Sequence, residues 1–181
     1  MPDLVARAAT LLDLHTAPEI LALANVWDVA SARVVAGTEG ARALATASHS
    51  IASTFGYEDG ENIPLDLHLD MAGRIVAAVD LPGTMDMEAG YGDPGETTRR
   101  AIAAGVVGGN LEDQMKPLDA SVTAVEAVRA LRTKSMPASR PAASTASTAL
   151  TEASRGFIWS SRLPPTIPAA MARRVVSPGS P

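Results

Sequence analysis

Cysteine is absent from the 181-residue chain, which excludes disulfide staples, thiolate metal sites and a cysteine nucleophile or acid. Aromatic residues make up only 3%, so the core must be aliphatic, drawn from Ala, Val, Leu and Ile. No run approaches the roughly eighteen apolar residues of a membrane span. The opening MPDLVARAATLLDLH carries Asp3 and Asp13 where a signal peptide needs an apolar core. Positive charge is scarce too: the net charge of −5 leaves no electrostatic footprint for nucleic acid. No Walker or Rossmann glycine pattern offers a nucleotide site. These absences predict a cytoplasmic protein with neither a membrane nor a nucleic-acid partner.

The charge is unevenly spread. Residues 133–181 hold a single acid, Glu152, against Lys134, Arg140, Arg155, Arg162, Arg173 and Arg174. Seven of the thirteen prolines fall there, and the stretch ASRPAASTASTAL is low in complexity. Two compositional regions follow, 1–132 and 133–181. The second is expected to be a disordered tail, its Ala/Ser/Pro/Arg/Thr bias fitting GC-rich coding sequence read out of frame.

The first region alternates short apolar runs with amphipathic ones. Ile20–Trp27, Ala41–Ser48, Leu81–Glu88 and Val106–Glu112 read as buried strands. Between them, Asp28 caps a helix through VASARVVAG that Gly37 closes. A loop containing STFGYEDGEN precedes a helix whose stripe is Leu65, Leu69, Ala72, Val76 and Val79. DPGETTRRAIAAG spells another helix, with Asp93 at the N-cap, Pro94 at N1, Glu96 at N3 and Gly105 at the end. Val122, Val125, Val128 and Leu131 mark a fourth, capped by Asp119 or Ser121. Apolar strands alternating with helices predict a parallel sheet covered by helices. Past residue 133 no fifth strand is expected.

Polar residues gather where the strands end: Asn25 and Trp27, Thr46 and Ser48, Asp86 and Glu88, Glu112 and Asp113. Ligands bind at that end in barrels and in open α/β sheets alike. In MDMEAGYGD, two carboxylates on alternate residues of a strand point the same way and repel unless a cation lies between them. Asp86, Glu88 and Glu112, with Asp59 on a loop, form an oxygen-only set without His or Cys. Such a set suits Mg²⁺ or Mn²⁺. Gly90 and Gly92 let the backbone approach a ligand closely.

ANVWDVASARV, ATASHSIASTFGYEDG, LPGTMDMEAGYGD and VVGGNLEDQ, in this order and spacing, resemble the isocitrate lyase/phosphoenolpyruvate mutase superfamily, most of all its short phosphonomutase-like branch. The resemblance runs from about His15 to Leu131. It implies an α/β fold that is an incomplete (β/α)8 TIM barrel of about four βα units, since a full barrel needs about 250 residues. It further implies a Mg²⁺- or Mn²⁺-dependent lyase or mutase. The substrate would be a small α-keto or 2-hydroxy acid, with C–C or C–P bonds made or broken through an enolate. Asp86 would ligate the metal directly, and Asp59, Glu88 and Glu112 would hold it through water. Thr46, Ala47, Ser48 and His49 would supply donors to the substrate's anionic group, and Asn25, Trp27 and Tyr91 would line the pocket. Asp59 and Lys116 are the positions implied for catalysis.

Three departures qualify the resemblance. Ala47 stands where the family commonly has Ser, removing a hydroxyl from the anion site. EDQMKPLDA lacks the Cys and His of the isocitrate-cleaving loop, so that activity is not expected. The arginine that ends the family's fifth strand has no counterpart in Arg140 or Arg155, which lie in unlike sequence. His68, alone on its helix, is read as a surface residue. The unpaired strands of a half barrel also predict self-association and weak activity, with a non-catalytic half-barrel association module as the competing expectation.

Overall fold

The structure, a computed structural model, describes residues 4–112, 117–133 and 158–162. Its helices begin where short polar side chains can satisfy free backbone N–H groups. Asp28 accepts from the Ser31 N–H at 2.6 Å while Ser31 Oγ accepts from the Asp28 N–H, a reciprocal cap that starts α2 (Val29–Ala36). Asp93 caps α5 (Pro94–Ala103) through the Glu96 N–H at 3.0 Å, with Pro94 first in the helix, as its sequence predicts. Gly105, at φ +102°, turns the chain out of α5. The helix α4 (Leu65–Ala77) buries Leu69, Ala72, Ile75 and Val76 on one face.

Four strands follow the expected runs but are shorter: β1 (Ala24–Val26), β2 (Leu44–Thr46), β3 (Gly83–Asp86) and β4 (Gly108–Glu112). Ile20, expected inside the first strand, is 97% exposed. A fifth strand that the sequence did not suggest, β5 (Ile158–Arg162), pairs with β4 from Gly108↔Ile158 to Glu112↔Arg162. Every pairing is parallel and the order is β1-β2-β3-β4-β5. Such sequential, one-way winding is that of a barrel wall and lacks the order reversal of a doubly wound sheet. The rest of the expected tail, and Lys116, lie outside the described residues.

Two further helices were not anticipated. α3 (Ser48–Thr54) begins at the last residue assigned to the second strand and occupies part of the supposed loop. α1 (Leu4–Thr16) closes the N-terminal end of the sheet, packing Ala8, Leu11 and Leu14 against Ala43 and Val107. Gly108 makes room for it, since a Cβ there would lie 2.8 Å from Leu11 Cδ2. The last helix, α6 (Leu118–Thr133), starts ahead of both proposed caps, leaving Asp119 in its first turn and Ser121 inside it.

The pleat sorts the strand residues. Val26, Leu44, Met85 and Met87 pack with Ile51, Ala72, Ile75, Val76, Ala101 and Ile102 of the helices in the main core. Ala45, Thr84, Asp86, Asn110 and Glu112, on the alternate positions, are only half-buried. One face is thus an aliphatic core and the other is polar. The polar face meets the C-terminal strand ends at Asp86 and Glu112.

Candidate active site

Asp86 ends β3 and is fixed from three directions. Its Oδ2 accepts from the Ser48 hydroxyl at 2.8 Å and from the Ser48 N–H at 3.4 Å. Its backbone N–H donates to Thr46 Oγ1 at 3.0 Å, replacing a ladder bond where the β2–β3 pairing stops. Its Oδ1 accepts from the Glu88 N–H at 3.2 Å. Ala47 sits at the N-cap of α3 with no side-chain cap bond. The missing hydroxyl is offset by the Asp86 carboxylate, which takes the first N–H of that helix from across the sheet.

Glu88 does not share a pleat with Asp86, because β3 ends first and Glu88 adopts φ +50°. Glu88 is 3% exposed, and its carboxylate accepts from the Tyr91 hydroxyl at 3.1 Å and from the Glu61 N–H. The Glu61 carboxylate in turn accepts from the Tyr91 N–H. Glu61 and Tyr91 also have positive φ, 64° and 52°, so three left-handed residues that are not glycine form one closed set of hydrogen bonds. Backbone strain of this kind persists where surrounding contacts over-determine it. Burial pushes the Glu88 carboxyl above its ordinary range. The Glu61 N–H and Tyr91 hydroxyl bonds oppose that rise, and the Asp59 and Asp86 charges add to it. Tyr91 is raised as well, by burial first and by the Glu88 charge second.

His68, expected at the surface, is fully buried. Its Nδ1 lies 2.8 Å from Tyr91 Oη, and burial lowers its pKa to about 4. The signal was present in the sequence: position 68 stands three after Leu65 and four before Ala72, on the apolar stripe itself. Glu61, which joins the loop to the turn after β3, carried no such signal.

The remaining expected residues are more scattered. Asp59 and His49 lie on the open side, 3.7 Å apart between Oδ2 and Nδ1, both more than half exposed. Asn25 on β1 is exposed, and Trp27 just beyond it is 42% exposed. Glu112 ends β4, its N–H donating to the Glu88 carbonyl at 2.6 Å. Asn110 stands in register with Asp86, and Arg162 in register with Glu112. Arg162 therefore ends a fifth parallel strand, the place for which no arginine was expected. Gly90 has a simpler reason than ligand approach: at φ +94°, a Cβ there would meet Pro94 Cγ at 2.6 Å.

Among the described residues no three His, Asp or Glu side chains converge to hold a metal ion. A cage of direct carboxylate ligands is therefore not what Asp59, Asp86, Glu88 and Glu112 make. One half-buried aspartate with further acids about it fits Mg²⁺ in chemistry, because that ion keeps several waters and takes few protein ligands. No described helix is long and apolar enough to cross a membrane.

A parallel sheet wound in one direction, with acids and a left-handed turn at its C-terminal strand ends, is the architecture of part of a TIM-type barrel. Residues 11–153 match the family model described as phosphoenolpyruvate phosphomutase, and the chain belongs to that family. The match reaches past the expected limit near Leu131. A candidate phosphonomutase from Burkholderia cenocepacia J2315 is 38% identical, with a TM-score of 0.67 over 86% of this chain and 59% of that one. Oxaloacetate acetylhydrolase, solved with the product oxalate, is 26% identical, with a TM-score of 0.65 over 72% of this chain and 50% of that one. A 2,3-dimethylmalate lyase, described as a member of the phosphoenolpyruvate mutase/isocitrate lyase superfamily, is 27% identical, with a TM-score of 0.63 over 71% and 48%. The chain thus spans between 48% and 59% of these solved relatives. No curated protein matches it.

Proposed function

We propose that the chain carries the metal-binding half of a Mg²⁺-dependent lyase or mutase acting on a small α-keto or 2-hydroxy acid. The observation that carries this reading is the Asp86 carboxylate, held by Ser48 and the Glu88 N–H at the open end of the sheet, with its backbone N–H tied to Thr46 Oγ1. Asp86 would hold the ion directly, and Asp59, Glu88 and Glu112 would reach it through water. Bound there, the ion would supply charge stabilisation for the electron pair released when a bond beside the substrate carbonyl breaks.

The protein's own groups do the rest. Ser48 fixes the carboxylate rotamer, so little ordering is left for the moment of binding. Glu88, out of water and beside two other acids, favours a cation nearby over a second anion. Asn25, Trp27 and the α3 start surround the same strand ends. Relatives that handle oxaloacetate, oxalate and dimethylmalate support the substrate class. Cytoplasmic location and self-association are part of the same proposal.

The test is Mn²⁺ and Mg²⁺ binding to the full chain by calorimetry, alongside turnover of oxaloacetate and branched 2-hydroxy diacids. Wild-type protein is expected to bind the ion, and Asp86→Ala to lose both binding and turnover. Equal binding by the two proteins would sink the assignment. A second reading, a non-catalytic association module, is favoured by the exposed Ala24 and Asn25 of β1 at one edge of the sheet. Under it, Asp86→Ala leaves self-association unchanged and no turnover exists to lose.

A further inference from the structure

Tyr91 has one hydroxyl proton and two close partners. Glu88 Oε1 lies 3.1 Å from Oη and His68 Nδ1 lies 2.8 Å from it. A carboxylate only accepts, so the proton between Tyr91 and Glu88 must be the hydroxyl's own. The bond to His68 then needs a proton from the ring. His68 Nε2 is buried without a hydrogen-bond partner among the described residues. Buried N–H groups are left orphaned more rarely than acceptors, which again places the ring proton on Nδ1.

We propose that His68 is the positioning residue of this site: as the neutral Nδ1–H tautomer it donates to Tyr91, commits the Tyr91 proton to Glu88, and so holds the Glu88 carboxylate where the Glu61 N–H closes onto it. The line runs from the helix α4 through the turn after β3 to the loop that carries Asp59 and Glu61. His68 acts through Tyr91. The inference rests on Glu88 belonging to the proposed site, but it needs no metal to be bound.

The experiment is NMR on the full chain with labelled histidine and backbone nitrogen. The His68 ring is expected to carry its proton on Nδ1. A proton on Nε2 would overturn the proposal, since Nδ1 would then accept the Tyr91 proton and Glu88 would lose it. Amide exchange at Glu61 reads the positioning itself. Losing one such hydrogen bond is worth up to about 1.5 kcal/mol, so His68→Leu and Tyr91→Phe should each speed Glu61 exchange by about tenfold relative to the core amides. The double variant should add little, and His68→Asn, whose amide nitrogen can stand near the Nδ1 position, should recover most of the protection. A role confined to packing would leave Glu61 protected in His68→Leu, and that result overturns the proposal. Mn²⁺ titration of the same samples separates the two readings. If wild type binds no Mn²⁺ while Glu61 exchange behaves as expected, the metal assignment fails and the positioning role stands.

Discussion

Ser48 and Asp86, thirty-eight residues apart, are joined twice: the Ser48 hydroxyl donates to Asp86 Oδ2 at 2.8 Å and its N–H reaches the same oxygen at 3.4 Å. One side chain thereby locks the start of α3 to the end of β3. It also spends lone pairs of Asp86 on the protein, leaving the rest to face the open end. Ser48→Ala is expected to cost about 1 kcal/mol of stability, the usual size of a lost part-buried hydrogen bond. It should also weaken Mn²⁺ binding several-fold, because Asp86 gains rotameric freedom. Urea unfolding and calorimetry on one preparation check both. Unchanged Mn²⁺ affinity would show that Ser48 serves the fold alone.

Gly90→Ala tests whether the left-handed turn is obligatory. The new Cβ would face φ +94° and three Pro94 atoms between 2.6 and 3.0 Å away. Backbone strain alone is worth about 1–3 kcal/mol, and Pro94, fixed at the first turn of α5, cannot give way cheaply. The expected loss is about 3 kcal/mol or more, with Tyr91 displaced from Glu88. Gly92→Ala is the control: it also has positive φ, 78°, but its Cβ meets nothing within 4 Å. It should lose only the conformational part. Equal destabilisation of the two would refute the Pro94 contact as the cause.

Burial of His68 makes stability depend on pH with a definite sign. Its folded pKa is lowered from 6.5 to about 4 by desolvation, which the Asp86 charge only partly offsets. As pH falls below 6.5 the unfolded chain takes up a proton that the folded chain refuses, so stability drops until about pH 4, where the folded histidine also protonates. The contribution is whole above pH 6.5 and amounts to roughly 3 kcal/mol across that window, at 1.36 kcal/mol per unit. His68→Asn lacks the group. The stability difference between wild type and His68→Asn should therefore shrink from about pH 7.5 to about pH 4.5. A constant difference in urea midpoints across that range would contradict the burial of the ring.

Much of this arrangement is legible in the chain because local rules and the global fold agree there. Asp28 and Asp93 cap as their spacing predicts, and the runs around Asn25, Thr46, Asp86 and Glu112 become neighbouring parallel strands. Asp86 does end an apolar strand, as the run Leu81–Glu88 led one to expect. What was not legible depends on contacts between distant segments. Alternation fails at Glu88, whose φ is set by Glu61 and Tyr91 and not by its neighbours in sequence. His68 was misplaced because a titratable side chain was weighed above the stripe it stands on. The strand at Ile158–Arg162 opens on the strand formers Ile158 and Trp159, but the apolar run is too short and too isolated in a low-complexity stretch to read as a strand without its pairing to β4. α1 has the moderate pattern of a helix, but its docking under the sheet depends on Gly108 leaving space for Leu11.

Arg7 offers a way to separate stability from the site. It is 9% exposed, and its guanidinium donates to the Val76 carbonyl at 2.8 Å and the Val79 carbonyl at 2.7 Å. Those carbonyls belong to the end of α4 and the turn beyond, where no helical N–H follows to take them. Asp80, 3.9 Å away and fully exposed, adds little. Arg7→Met keeps the apolar stem but strands both carbonyls, at about 1.5–3 kcal/mol for each charge-assisted bond lost, less what water recovers. Arg7→Lys supplies charge without the fork that spans two acceptors and should restore only part. The linkage lies at the opposite end of α4 from His68, so Mn²⁺ affinity at a temperature well below unfolding should change less than in Ser48→Ala, although Arg7→Met is the less stable of the two. An equal or larger loss of Mn²⁺ affinity in Arg7→Met would mean that α4 transmits the disturbance along its length, and that the site depends on how α1 seats beneath the sheet.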